Sequence, residues 1–265
     1  MHKAKKKYGQ NFLRDKNLLK KIVGSANLEN KNVIEVGPGQ GALTQFILPI
    51  AKKTVAYEID TSLKSILKEY EDKGLVIKYG DFLISDLKND IDNFFDNEET
   101  HLIGNLPYYI TTPIIFKFLE EPLLKSATIM VQKEVSDRLT AIPNTKQYNA
   151  LSVIIQYQAE VKKLLNVHKT MFFPIPKVDS AIVKISKKSI EDNVFFEKFV
   201  NVVKASFTQK RKTLLNNLSQ AYNLEKIIAL PLLKLINLNE NTRAESLEVN
   251  DFEKIAMLLI ENKII

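Results

Sequence analysis

The chain has 265 residues, 45% hydrophobic and 26% charged, the balance of a globular protein with room for one large domain and a small one. It contains no cysteine, so disulfides and thiolate metal sites are excluded, and His2, His101 and His168 are too scattered to suggest a metal cluster. The net charge is +7, no stretch approaches the roughly 20 apolar residues that span a bilayer, and no apolar leader follows the basic N-terminus, which together fit a cytoplasmic protein with a polyanionic partner.

Residues 1–21 carry Lys3, Lys5, Lys6, Lys7, Arg14, Lys16, Lys20 and Lys21 against the single acid Asp15. The rest of the chain sums to zero but unevenly, with an acidic stretch over 81–100, a lysine-rich stretch over 162–188 and a cluster at Lys210, Arg211 and Lys212. Basic patches on a neutral background are the footprint of a nucleic-acid-binding face, and solvated lysines are the bland alternative. Lys5, Lys6, Lys7, Lys210, Arg211 and Lys212 are the residues expected to touch a phosphate backbone.

From residue 33 short apolar runs alternate with helical patterns. Val33–Val36 reads as a buried strand that ends in Gly37-Pro38-Gly39-Gln40-Gly41, and Ala42–Ile50 as a helix. Thr54–Ile59 is a second strand ending in Glu58, Ser62–Tyr70 is helical, and Leu75–Tyr79 is a third strand ending at Gly80-Asp81. His101–Gly104 is a fourth strand that delivers Asn105, and helices over Thr112–Leu119 and Glu134–Ala141 flank a fifth, Ala127–Gln132. Val161–Val167 and Ala181–Ser186 read as further strands joined by a proline-stiffened link, Phe172-Phe173-Pro174-Ile175-Pro176. Beyond Lys188 the pattern is helical throughout, over Phe195–Phe207, Lys210–Tyr222 and Asp251–Glu261. The expectation is a catalytic domain at 1–188, with its basic segment 1–21, and a helical RNA-recognition domain at 189–265. Alternating strands and helices predict a parallel, doubly wound sheet whose ligands sit at the carboxyl ends of its strands.

Four segments therefore converge on one crevice. The glycines at 37, 39 and 41 permit a tight turn against a ligand, although G-x-G-x-G alone is a weak signal. Glu58 can accept from both ribose hydroxyls of a nucleoside, and Asp81 from an adenine amino group. A solvated carboxylate or helix cap is the plainer reading of either acid alone. Asn105-Leu106-Pro107-Tyr108 carries the most information. An adenine amino nitrogen is a poor nucleophile because its lone pair is delocalised into the ring. Two acceptors, the Asn105 side-chain oxygen and a carbonyl near Leu106, would take its two N–H bonds and aim the lone pair at a sulfonium methyl. Catalysis is then orientation plus carbonyl dipoles, with no strong base. Pro107 stiffens the turn, and Tyr108 offers a ring for the base to stack on. A second wall comes from Phe172 or its neighbour Phe173, which the residues alone leave open, and a Phe172 buried in the core is the bland alternative. The sum is an α/β, Rossmann-like S-adenosylmethionine-dependent methyltransferase fold with a small all-helical C-terminal domain, acting on the amino group of a nucleic-acid base.

The set resembles the ribosomal RNA adenine dimethyltransferase family over nearly the whole chain. It is carried by Gln10-Asn11-Phe12-Leu13, Glu35–Thr44, Glu58-Ile59-Asp60, Gly80-Asp81, Asn105–Pro113, Gln132-Lys133-Glu134-Val135, Phe172-x-Pro174-x-Pro176-x-Val178-Asp179-Ser180, Gln209–Thr213 and Arg243-Ala244-Glu245. The resemblance implies that Asn11, Leu13, Gly37, Gly39, Glu58, Asp81 and Asn105 line the S-adenosylmethionine site. It also implies that Asn105, Leu106, Pro107 and Tyr108 position the target amine, with Phe172 rather than Phe173 as the stacking partner. Its small-subunit branch dimethylates two adjacent adenines in a 3′-terminal hairpin loop, coupled to maturation of the small ribosomal subunit. The implied partners are small-subunit ribosomal RNA and the subunit precursor, met by a monomer. One departure is Asn149-Ala150 where the family has Gly-Arg. The rival readings are the large-subunit enzyme of macrolide resistance, a non-catalytic RNA-binding assembly or transcription factor on the same fold, and a dinucleotide-dependent oxidoreductase, which the glycine spacing disfavours.

Overall fold

The computed structural model describes residues 5–189 and 193–265, with Lys6 and Asn193 described in their backbone only. Two compact units divide the chain: 1–136 with 161–187, and 137–160 with 188–265. The cut expected near Ser189 is therefore not the only crossing, because the segment Asp137–Glu160 groups with the C-terminal helices.

The first unit is built on nine strands among the described residues: β1 (Phe12–Leu13), β2 (Asn32–Val36), β3 (Lys53–Glu58), β4 (Leu75–Tyr79), β5 (Thr100–Asn105), β6 (Leu124–Gln132), β7 (Ala159–Val167), β8 (Phe172–Phe173) and β9 (Ser180–Lys187). Seven form one sheet in the order β4-β3-β2-β5-β6-β9-β7, and β1 pairs with β8 in a separate antiparallel ribbon. The pairs β2–β3, β3–β4, β2–β5 and β5–β6 are parallel, whereas β6–β9 is antiparallel, so the sheet is mixed at one end rather than parallel throughout. β2 is buried at all five positions, as expected of a central strand covered on both faces. The strand order departs from β2 in both directions, so the topological switch point falls between the carboxyl ends of β2 and β5, where open sheets of this kind bind ligands.

Gly104 makes that junction possible. A Cβ there would stand 2.6 Å from the Val36 carbonyl oxygen, so only glycine lets β5 run this close to β2. One core cluster packs Leu19, Ile22, Val23, Val33, Ile47, Ile103, Met130 and Ile182 against the sheet. The helix expected over Ala42–Ile50 shrinks to Thr44–Ile47, because the glycine turn and Leu43 occupy its first part. An acidic helix, Leu87–Phe95, lies within the charged stretch 81–100, where charge density masked its apolar face of Leu87, Ile91 and Phe95.

The second unit is helical, with Ala150–Gln158, Asn193–Ser206, Leu214–Ala221, Lys226–Leu235 and Val249–Glu261. Aromatic pairs fill its core: Tyr157 stacks on Phe199 at 4.1 Å and Phe207 on Phe252 at 5.6 Å. Asn149 begins the helix Ala150–Gln158 by accepting from the Leu151 N–H at 2.9 Å, while Ser152 Oγ accepts from the Asn149 N–H. The residue that replaces a family glycine thus serves as a helix cap. Lys210, Arg211 and Lys212 lie in the turn before their helix, not in its first turn, because Thr213 is the N-cap of Leu214–Ala221. No described helix is long and apolar enough to cross a membrane.

Candidate active site

The carboxyl ends of β2, β3, β4 and β5 open into one cleft, lined by Gly37 to Gly39, Glu58, Asp81, Asn105 to Ile110 and the N-terminal run Tyr8 to Leu13. All the expected cofactor residues are in this lining: Asn11, Leu13, Gly37, Gly39, Glu58, Asp81 and Asn105, and so are Leu106, Pro107 and Tyr108.

On the β3 side the polar atoms are already engaged. Glu58 is 4% exposed, and its two oxygens accept from the backbone N–H groups of Gly39 at 3.0 Å and Asp60 at 2.8 Å. Burial raises its carboxyl above the ordinary value, and those two N–H groups oppose the rise. Each carboxylate oxygen keeps a further lone pair, enough to accept from a diol. Gly39 adopts φ +59°, and a Cβ there would press within 3.2 Å of the Phe12 ring, so the turn needs glycine on both counts. Behind it lies Glu35, fully buried at the end of β2. Burial pushes its carboxyl up to about 7, against the opposing hydrogen bond from Thr44 Oγ1 at 2.7 Å. Asp81 caps the next turn by accepting from the Leu83 N–H at 2.9 Å, and Phe82 beside it faces the same cleft.

On the β5 side the acceptors are left open. Asn105 Nδ2 donates to the Asn11 carbonyl at 3.0 Å, which fixes the amide plane. Asn105 Oδ1 and the Leu106 carbonyl accept no hydrogen bond from the described residues. By contrast the Pro107 carbonyl is taken, by the Ile110 N–H and Thr111 Oγ1. Tyr108 is half-buried, its hydroxyl 2.7 Å from Ser180 Oγ, and burial raises its phenol. The pair of unclaimed acceptors beside an aromatic ring can hold a planar amine.

The structure treats other expected residues differently. Phe172 is 3% exposed and belongs to the core with Leu13 and Leu19, because β8 pairs it with Leu13 and turns it inward. It is absent from the cleft lining, and its neighbour Phe173 is the exposed ring. Lys5 is not presented to a partner: its ammonium bonds Asp60 at 2.7 Å and Ser62 Oγ, anchoring the N-terminal segment that lines the cleft. Lys7 lies exposed over the Tyr8 ring at 4.5 Å, and the side chain of Lys6 lies outside the described residues. Lys210, Arg211 and Lys212 are exposed in the second unit and make no ion pair among the described residues.

Two contributors escape sequence reasoning, and a third, Asp60, enters it only as part of the Glu58-Ile59-Asp60 motif. Asp60 takes Lys5, Gln10 and Ser62 together, and these contacts hold its carboxyl below the ordinary value although burial alone would raise it. Asp90, from the acidic helix, accepts from the Tyr57 hydroxyl at 2.5 Å and from Lys78 beneath the cleft wall. Lys117 donates to the carbonyls of Leu83 and Ser85, in the turn that follows Asp81. Each depends on residues far apart in the chain, and only the motif that contains Asp60 offered a signal.

A cleft with a buried carboxylate for a nucleoside diol on one side and open amine acceptors on the other fits a nucleoside-type methyl donor. The fold and the cleft define an S-adenosylmethionine-dependent methyltransferase. The chain belongs to the ribosomal RNA adenine dimethylase family, whose model matches residues 1–261. Among its relatives, the ribosomal RNA small subunit methyltransferase A of onion yellows phytoplasma is 50% identical, covering 97% of this chain and 96% of that protein. A dimethyladenosine transferase structure from Plasmodium falciparum is 32% identical with a TM-score of 0.79, covering 96% of this chain and 98% of that one. A 23S rRNA methyltransferase structure is 25% identical with a TM-score of 0.73, over 94% and 100% respectively.

Proposed function

We propose that this enzyme dimethylates the N6 amino groups of two adjacent adenines in a 3′-terminal hairpin loop of small-subunit ribosomal RNA. The product is N6,N6-dimethyladenosine, made in two transfers per base. The observation that carries the reading is the pair of acceptors, Asn105 Oδ1 and the Leu106 carbonyl, left without protein donors beside Tyr108. In the first transfer they accept the two amine N–H bonds, and in the second one of them accepts the single N–H that remains; both times the nitrogen is pyramidalised and the positive charge that develops on it is stabilised. Tyr108 holds the base by stacking, roughly 1–3 kcal/mol per base. S-adenosylmethionine supplies the electrophilic methyl group. Glu58 binds its ribose hydroxyls, Asp81 its adenine amino group, and Gly37, Gly39, Asn11 and Leu13 enclose the remainder. The alkylated amine is a strong acid and releases its proton to water, so the reaction needs no strong base.

The helical unit recognises RNA through Lys210, Arg211 and Lys212, with Lys7 contributing from the first unit. The enzyme acts as a cytoplasmic monomer on a precursor of the small subunit. Nucleoside mass spectrometry tests the reading: the protein is incubated with S-adenosylmethionine and with small or large subunits that lack adenine dimethylation. Dimethyladenosine in the small subunit alone is the expected result. Product in the large subunit alone would move the target to 23S-type RNA. RNA binding without product would mean that the fold serves as a binding module.

A further inference from the structure

Phe173 is 55% exposed, an unusual setting for a phenylalanine in a segment whose backbone is so well anchored. The anchors are on both sides. β8 pairs Phe173 with Phe12 and Phe172 with Leu13. Downstream, Ser180 Oγ meets the Tyr108 hydroxyl at 2.7 Å, Asp179 Oδ1 accepts from the Lys169 N–H at 3.0 Å, and the Asp179 carbonyl accepts from Lys133. The ring is therefore held in solvent by a fixed frame. Its strand partner Phe12 lines the cleft, so Phe173 stands about one strand spacing, about 5 Å, outside the cleft wall.

The Arg14 guanidinium lies 4.4 Å from the Phe173 ring centroid. Arg14 is exposed and makes no ion pair among the described residues. The neighbouring acid, Asp15, is engaged elsewhere, accepting from the Leu18 N–H at 2.8 Å as a helix cap. An open aromatic ring with an unneutralised guanidinium against it suits a flat π-system joined to a phosphate, and Lys177 adds a further exposed cation to the same loop.

We propose that Phe173 and Arg14 form a stacking platform at the cleft rim that holds the nucleotide next to the target adenine. The proposal rests on the reading that the target is an adenine in a single-stranded RNA loop. With two adjacent adenines to modify, one base occupies the Tyr108 pocket while its neighbour rests on Phe173, and the two then exchange places.

Small subunits lacking dimethylation serve for kinetics, and a short RNA hairpin with 2-aminopurine beside the target adenine serves for binding. In Phe173→Ala the KM for RNA rises roughly 5- to 150-fold, the range that base–aromatic stacking spans. The KM for S-adenosylmethionine and the kcat at saturating RNA stay unchanged, and the 2-aminopurine quenching seen with wild type is lost. Phe173→Trp restores both, and Arg14→Gln gives a smaller rise in RNA KM with a shallower salt dependence. Unchanged RNA KM and quenching in a folded Phe173→Ala protein would overturn the platform. So would a rise in the KM for S-adenosylmethionine alone, which would make the ring a prop for Phe12. A wild-type protein that methylates no subunit RNA would instead defeat the underlying reading, before any variant is compared.

Discussion

The two sides of the cleft are finished to different degrees. On the β2–β4 side the folded chain supplies its own partners: Glu58 is bonded by Gly39 and Asp60, Asp81 by Leu83, and Glu35 by Thr44. On the β5 side Asn105 Oδ1 and the Leu106 carbonyl wait for donors that the described residues do not provide. The first side is a preformed cradle, held by hydrogen bonds within the chain. The second is completed only by an amine, so its hydrogen bonds are formed with substrate and strengthen as charge develops on the reacting nitrogen. Binding energy on the first side serves affinity, and on the second it serves rate.

The largest expected effect tests that division directly. Asn105→Ala removes the side-chain acceptor and lowers kcat roughly 10²- to 10³-fold, as loss of one preorganised electrostatic contact does. S-adenosylmethionine affinity changes only a few-fold, through the lost Asn105 contact to the Asn11 carbonyl. Single-turnover kinetics and calorimetry separate the two, and an equal loss in both would show that the cleft has no independent sides.

Glu35 gives the next largest effect, and it concerns stability. Its folded pKa of about 7 lies above the ordinary 4.5, so the folded state holds a proton that the unfolded chain gives up. The resulting stabilisation is fully present below pH 4.5 and is lost as the pH rises through about 7. At about 1.4 kcal/mol per unit the full span is on the order of 3 kcal/mol. Urea unfolding at pH 5 and pH 8 should show this slope in wild type and its loss in Glu35→Gln, which keeps an acceptor for Thr44. Glu58 contributes a slope of the same sign, so the difference between the two proteins is the informative quantity. A slope undiminished by the substitution would mean that Glu35 is ionised in the fold. Next in size, Gly104→Ala forces a methyl to within 2.6 Å of the Val36 carbonyl oxygen. It should lower unfolding stability by about 1–3 kcal/mol, as overpacking does. An unchanged urea midpoint would show that the junction of β2 and β5 is not tight.

Much of this was legible in the sequence, for identifiable reasons. The central strands were readable because a covered parallel strand is a continuous apolar run, and the residue after each run had to be at the cleft. Val33–Val36 lies within β2, and Asn105 ends β5 as expected. The sequence reading left alternatives open, or was silent, where partners come from distant segments. The inward turn of Phe172 follows from two-residue pairing with Leu13, more than 150 positions away, and a two-residue strand has no period to detect. The engagement of Lys5 with Asp60 hides in a run of lysines that all look solvated. The acidic helix Leu87–Phe95 was obscured because its composition resembled a loop more than a helix.

The smallest expected effect probes what connects the two sides. Lys117 sits on the helix Thr111–Glu120, which follows the Asn105–Tyr108 turn, yet its ammonium donates to the Leu83 carbonyl at 2.9 Å and the Ser85 carbonyl at 2.6 Å. Those carbonyls belong to the turn that begins at Asp81, which Ser85 Oγ also closes by donating to the Phe82 carbonyl at 2.7 Å. One cation therefore fixes the loop that carries Asp81 to the helix that carries the base-binding turn. Lys117→Met keeps the aliphatic stem and removes the donors, leaving two carbonyls to water. The KM for S-adenosylmethionine should rise roughly 3- to 10-fold, the worth of two modest hydrogen bonds acting through Asp81, with kcat at saturating cofactor unchanged. Lys117→Arg, which can still reach both carbonyls, should recover part of the loss. If kcat falls while KM holds, the ammonium acts on the Asn105 side instead, and the cradle stands without it.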